Sequence, residues 1–280
     1  MDYTTNMPYN NKTSNSHFIA SSNVSPSQLN LLEKWVADGC FEQYESPEYI
    51  LSSSKNRPHN RLYEFILPAV DYRVVMKVTH IHKQYSWTRR LRALFRYYRR
   101  RDANYKAFQS CRYAYQQGLA APKPLAYWRK RKSFTQTKSY FLYRYVEDSS
   151  SFVEVYEKLK KEDGDKWQHQ KDLLIRKIVD AVKCLHGLGI RHGDMVAHNI
   201  LISIPNIGLS QAKVCFIDYD RSTLSGLGKT SFLKRFFDLR DLRKLYIDDA
   251  SPYDLLGIYL GDDYHPLWRI ALAFWRLGTH

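Results

Sequence analysis

The stretch IRHGDMVAHNILI, Ile190 to Ile202, sets His192, Gly193 and Asp194 side by side, places Asn199 five residues after Asp194, and ends in a β-branched run. Core packing alone does not ask for that pattern. Further on, AKVCFIDYDR reads as a short buried strand that ends in acids, with Asp218 19 residues after Asn199. Two acids and an amide held on short strands suit phosphoryl transfer. That chemistry needs a carboxylate to orient and deprotonate the attacking hydroxyl, oxygen ligands for a magnesium ion, and a cation for the phosphate oxygens. Upstream, VVMKV sets Lys77 inside an apolar strand, an unusual place for a merely solvated lysine.

Outward from these residues the chain divides by pattern. Residues 1–27 are rich in Asn, Ser and Thr and predict a disordered tail. SPSQLNLLEKWVADG predicts a short helix with Ser25 or Ser27 as N-cap and Gly39 as its stop. YILSSSK, RLYEFIL and YRVVMKV predict strands, with LPAVDY as a hairpin turn. The run from Trp87 to Gly118 predicts one long helix, which Pro122 and Pro124 keep from continuing. KPLAYWR and KSYFLYRYVE return to strands. Beyond Glu147 the character is helical: Leu174, Ile178, Ala181 or Val182, and Leu185 share one face of a helix, and TSFLKRFFDLRDLRKLY and PLWRIALAFWRL predict two more. The expected fold class is α+β: residues 28–146 as a small β-rich lobe and 147–280 as a helical lobe.

The 280 residues carry a formal charge of +15, with a sequence pI near 9.5. Such an excess points to polyanionic company: an anionic membrane face, a phosphorylated substrate or nucleic acid. No nucleic-acid reader motif is visible, so nucleic acid is not the expected partner. RRLRALFRYYRRR, Arg89 to Arg101, holds seven arginines with Leu91, Leu94, Phe95 and Tyr98 at helical spacing. It reads either as a helix with one packed and one solvated face or as a dock on an anionic membrane surface. The four cysteines, Cys40, Cys111, Cys184 and Cys215, form no CxxC pair, which argues against zinc. Cys184 and Cys215 sit among apolar residues and read as buried free thiols, as a reducing compartment allows. No run of 18 apolar residues marks a membrane span, and the first residues lack the apolar core of a secretory signal, so none is expected.

HGDMVAHNIL followed by CFIDYD resembles the catalytic and metal-binding segments of the protein-kinase-like superfamily. RRDANYKAFQSCRYAYQQGLAAPKPLAYW, SYFLYRYVED and DLRDLRKLY narrow the resemblance to the lipopolysaccharide kinase family, which phosphorylates Kdo or heptose sugars of the lipopolysaccharide inner core. The likeness spans roughly residues 50 to 248. It implies a bilobal kinase fold, ATP and Mg²⁺ as cofactors, and a lipopolysaccharide core or lipid-linked sugar as acceptor. It implies Asp194 as catalytic base, Asn199 and Asp218 as metal ligands, and Lys77 on the α/β-phosphates. The backbone around Tyr143, Tyr145 and Val146 would meet adenine, and Asp241 would brace the catalytic loop. With the arginine-rich segment as its dock, the expected enzyme is cytoplasmic and peripheral on the inner face of the bacterial inner membrane.

The chain departs from the superfamily pattern in three places. SSSKNRPHNRLYEF stands where a glycine-rich phosphate loop is usual, so its serines, backbone N–H groups, Lys55 and Arg57 take that role. The helix acid expected to pair with Lys77 falls near Ala107, leaving Asp102 as the substitute. HGD has no Arg before its Asp, which suits constitutive action on a small or lipid-linked hydroxyl. A kinase of another small-molecule or protein acceptor is an alternative reading, as is a catalytically impaired scaffold. The pattern sets no oligomeric state.

Overall fold

The computed structural model describes residues 16–51, 60–68, 72–80, 88, 91–92, 95, 102–119, 121–133, 136–161, 164–205, 208–225, 235, 238–239 and 258–259. The chain forms two compact units. One holds residues up to 116 together with 122–146, and the other holds 117–121 and everything from 147 onward.

The first unit is built on a five-stranded antiparallel sheet in the order β1-β4-β5-β3-β2. Its strands are β1 (Ser16–Ala20), β2 (Asn60–Leu67), β3 (Tyr72–His80), β4 (Pro124–Ser133) and β5 (Gln136–Arg144). β2 and β3 pair in register from Leu67 opposite Tyr72 to Asn60 opposite Thr79, so LPAVDY does separate two paired strands. β1 corrects the expectation that residues 1–27 form a disordered tail. Ser16–Ala20 pair with β4, and Phe18, Ile19 and Ala20 are buried. Three apolar residues suffice to seal an open sheet edge, but the polar residues around them mask the signal.

Helix α1 (Pro26–Ala37) starts as the sequence suggests. Ser25 caps it, Gln28 completes a capping box, and Pro26 takes the first turn. Gly39, at φ +71°, lies past its end. α1 drives Leu32, Trp35 and Val36 into one face of the sheet. A 3₁₀ segment, Cys40–Glu45, adds Phe41, whose ring meets Trp128 at 5.2 Å and Tyr140 at 4.9 Å. Met76, Val74, Val78 and Leu142 complete this core. YILSSSK is not a strand over its described part. Pro47–Tyr49 are 3₁₀, and Ile50 makes one isolated bridge to Tyr63.

The other face of the sheet carries helix α2 (Ala103–Gln116). The single helix expected from Trp87 to Gly118 is interrupted. Thr88, Leu91, Arg92 and Phe95 are helical, but Asp102 is not. Its carboxylate accepts the Tyr105 N–H at 3.1 Å and so starts a new helix. Gly118, at φ +76°, follows the helix end. The other residues of Arg89–Arg101 lie outside the described set.

The second unit contains α3 (Phe152–Lys160), opened by a Ser151/Glu154 capping box, and α4 (Gly164–Gly187). Leu174, Ile178, Val182 and Leu185 are buried on one face of α4, so Val182, not Ala181, completes the stripe. Five short strands follow around these helices: β6 (Ser150–Ser151), β7 (Ile190–Arg191), β8 (Ile200–Ser203), β9 (Lys213–Phe216) and β10 (Thr223–Leu224). They pair as β6-β8-β9 and as β10-β7. Arg235, Asp238 and Leu239 are helical, as are Ile258 and Tyr259; most of the two expected late helices lies outside the described residues. The cysteine expectation is half corrected. Cys215 is buried, but Cys184 is exposed because its position on α4 faces away from the stripe, and Cys111 is the other buried thiol. Among the described residues no helix is long and apolar enough to cross a membrane.

Candidate active site

The quoted stretch folds as a loop between two ladders. β7 leads into the loop His192 to Val196, one 3₁₀ turn covers Ala197–Asn199, and β8 runs on from Ile200. In the β8–β9 pairing Ile200 stands opposite Phe216. Asn199 and Ile217 are therefore neighbours across the next rung, joined by the Ile217 N–H to the Asn199 carbonyl at 2.9 Å. Asp218 comes one residue later. It takes a left-handed backbone, φ +65°, rare for a residue with a Cβ and a form of strain found at functional sites.

Asn199 donates its side-chain amide to the Asp194 carbonyl at 2.9 Å. That bond closes the five-residue loop and turns the remaining side-chain oxygen of Asn199 into a ligand-type acceptor. Three residues expected from sequence are thus brought together: Asp194, Asn199 and Asp218. Among the described residues no group of three His, Cys, Asp or Glu side chains is placed to hold a metal. A carboxylate and an amide oxygen suit a hard cation that takes its other ligands from phosphate and water, as Mg²⁺ does. The residues fit that ion; bound there, it would neutralise phosphate charge. Asp220 lies in the next turn, half-buried.

Asp194 is partly exposed, and the Arg221 guanidinium stands 3.4 Å from its Oδ1. His198, on the same loop, is exposed. His192 is fully buried, and its Nε2 lies 3.0 Å from the Ile217 carbonyl. A carbonyl only accepts, so Nε2 carries the proton. Burial pushes the His192 pKa below its ordinary value, against the pull of Asp238, the Ile217 bond, Asp218 and Asp194. His192 is therefore a neutral strut that ties the Asp194 loop to the strand end bearing Asp218.

The loop is braced by a residue that sequence reasoning missed. Asp238, fully buried, accepts the His192 N–H at 2.7 Å and the Gly193 N–H at 2.8 Å. His186 Nε2 lies 3.1 Å from the same carboxylate, and His186 Nδ1 lies 2.7 Å from the Tyr259 hydroxyl. With Nε2–H donating to the carboxylate, Nδ1 accepts a hydrogen bond from the Tyr259 hydroxyl. The resemblance points to Asp241 for this brace, and Asp241 lies outside the described residues. Asp238 is three residues earlier, and nothing in the sequence ranks one above the other.

In the first unit, Lys77 sits on β3 between Leu62 on β2 and Phe141 on β5 and is almost fully buried. Asn104 of α2 donates to the Lys77 carbonyl at 3.3 Å and to the Ser139 carbonyl at 2.7 Å, stapling the helix to β3 and β5. Asp102, expected beside Lys77, does other work. Besides capping α2, it accepts the Tyr127 hydroxyl at 2.7 Å, and burial raises its pKa. Tyr143 is buried opposite Val75. The Tyr145 N–H bonds the Arg73 carbonyl at 2.9 Å, while the Arg73 guanidinium covers the Tyr145 ring at 4.1 Å. Val146 is the last residue before the second unit resumes. Lys55 and Arg57 lie outside the described residues.

This arrangement has known relatives. A structure of WaaP in complex with acyl carrier protein aligns with a TM-score of 0.62 at 14% identity, covering 93% of this chain and 96% of that one. The Rio2 kinase from Chaetomium thermophilum aligns over 89% of this chain and 77% of its own, with a TM-score of 0.45 at 13% identity. No curated protein matches the sequence. The chain thus shares the fold of the WaaP structure. The family model described as "Lipopolysaccharide kinase (Kdo/WaaP) family" matches residues 63–249, more than half of the 280 residues, and that span includes Lys77, Asp194, Asn199 and Asp218. The chain belongs to the lipopolysaccharide kinase (Kdo/WaaP) family.

Proposed function

We propose that this chain transfers the γ-phosphate of ATP to a hydroxyl of a lipopolysaccharide inner-core sugar, Kdo or heptose. The observation that carries the reading is the single rung that sets Asn199 beside Ile217 and Asp218, with the Asn199 amide anchored on Asp194. Asp194 orients the acceptor hydroxyl and takes its proton. Asn199 and Asp218 would hold Mg²⁺, which would neutralise phosphate charge. Lys77 is the cation proposed for the α/β-phosphates, the Tyr143–Val146 backbone the adenine contact, and Lys55 and Arg57 the loop cations. The hydroxyl needs no deep pKa change, because positioning supplies most of the acceleration. All three of the residues that a catalytically impaired scaffold would be free to lose are present.

The setting is proposed as the inner face of the bacterial inner membrane. Leu91 and Phe95, one helical turn apart in the arginine-rich segment, are both exposed, as docking on an anionic leaflet requires. A protein partner is a second reading. The WaaP relative was solved with acyl carrier protein, and a formal charge of +15 suits an acidic partner.

The test is mass spectrometry of core oligosaccharide from cells with and without the protein, which should differ by one phosphate per acceptor hydroxyl. Asp194→Ala should leave the fold intact and cut turnover by about a hundredfold or more, the scale of a lost positioned base. Unchanged oligosaccharide would end the acceptor assignment, and full turnover by the variant would end the role of Asp194.

A further inference from the structure

We infer that Arg221 is a second catalytic residue, whose guanidinium grips the phosphoryl group while it passes over Asp194. The inference rests on the kinase reading above and deepens it. Phosphoryl transfer gains most from a cation on the oxygens of the migrating group. The loop from Asp194 to Asn199 reads Asp-Met-Val-Ala-His-Asn and contains no Lys or Arg. Its Met195 is buried and its His198 exposed. Among the described residues, the cation paired with the base comes instead from the segment after Asp218: Arg221 Nη1, 3.4 Å from Asp194 Oδ1.

Stability does not explain that pair. The Arg221 side chain is 71% exposed and that of Asp194 31% exposed. Solvent-exposed ion pairs of loose geometry contribute little to folding. The backbone beneath the guanidinium is nevertheless held firmly. A Cβ on Gly193 would lie 2.5 Å from the Arg221 carbonyl oxygen, so the two segments touch where only glycine fits. Tyr219 is buried, the Ser222 N–H returns to the Tyr219 carbonyl at 3.0 Å, and Thr223 pairs with Arg191. A solvated side chain on an over-determined backbone, aimed at the base, is what a group that must meet a passing anion requires. The guanidinium has five N–H donors in a fixed fork and spends only one on Asp194.

In the step, the acceptor oxygen forms its bond to the γ-phosphorus. The bond from that phosphorus to the β–γ bridging oxygen breaks, and its electron pair leaves with ADP. The hydroxyl proton passes to Asp194. Arg221 keeps its own proton throughout and donates N–H bonds to the non-bridging oxygens.

The experiment compares wild type, Arg221→Ala and Arg221→Lys in the full chain with Mg²⁺ and either ADP alone or ADP with aluminium fluoride, a mimic of the migrating phosphoryl group. Steady-state transfer from labelled ATP to lipopolysaccharide from cells lacking the protein is measured alongside. Arg221→Ala should bind ADP as wild type does, lose the extra affinity for the fluoride complex, and lower kcat about a hundredfold with KM for ATP changed less than about threefold. Arg221→Lys should recover part of the loss, as should added guanidinium ion with the Ala variant. Wild-type kcat and fluoride affinity in Arg221→Ala, with Asp194→Ala inactive, would overturn the role of Arg221 and leave the kinase reading standing. Absence of any Mg-ADP binding by wild type would overturn the kinase reading, and this inference with it.

Discussion

The carboxylate of Asp238 accepts the backbone N–H of His192 at 2.7 Å across 46 residues of sequence. Its other oxygen takes Gly193, and His186 and Arg191 lie within 3.1 and 3.5 Å of the carboxylate. Three donors and the Arg191 guanidinium converge on one fully buried acid. Asp238→Ala would leave two backbone N–H groups and an imidazole buried without an acceptor, at a cost of about 3 kcal/mol or more. Asp238→Asn keeps one oxygen acceptor and should cost less, yet still lower kcat by loosening the loop beneath Asp194. Denaturant melts and turnover of both variants check this. A loss below about 1 kcal/mol in the Ala variant would show that the brace is dispensable.

Gly193 tests a different constraint. Its φ of +80° already disfavours a side chain, and the Arg221 carbonyl adds a backbone clash. Gly118 supplies the control, with φ +76° and nothing within 4 Å of where a Cβ would stand. Gly118→Ala should cost about 1 kcal/mol, the left-handed penalty alone. Gly193→Ala should cost at least about twice that, and adding Arg221→Ala should not relieve it, since the obstacle is main chain. Equal melting shifts for the two alanine variants would contradict the close approach.

The parts of the site that could be read in the sequence are those that one hairpin assembles. Asp194, Asn199 and Asp218 lie within 25 residues and are gathered by β8 and β9, whose apolar runs announce them. Lys77 stood out in the sequence because it breaks an apolar strand, and the structure shows it buried in β3 of the first unit. Asp238 could not be read there, because its partners are backbone groups 45 and 46 residues away, and FDLRDLRKLY offers two acids, Asp238 and Asp241, with nothing in the sequence to separate them. Asp102 misled for the opposite reason. An acid near the right place in sequence looked like an ion-pair partner, while its structural task is to cap α2 and meet Tyr127. β1 was hidden by its length: five residues flanked by Asn and Ser carry too little periodicity to stand out, and only the open edge of β4 makes them a strand.

His192 gives the second unit a pH dependence whose sign follows from burial. Desolvation holds its pKa below the ordinary 6.5, and the carboxylates of Asp238, Asp218 and Asp194 do not reverse that. Well above pH 6.5 the ring is neutral both folded and unfolded, so it adds no slope there. As pH falls below 6.5, the unfolded chain takes up a proton that the native ring refuses, and stability drops until the folded pKa is passed. Protonation there would add a charge with no further acceptor: Nε2–H already faces the Ile217 carbonyl, and Nδ1 has no partner. His192→Gln removes the titration while an amide N–H can still reach that carbonyl. Between pH 7.5 and 5.5 the melting temperature of wild type should fall more than that of the Gln variant, with the curves parallel above pH 7. Parallel curves over the whole range would mean that the native ring accepts its proton as readily as the unfolded chain does.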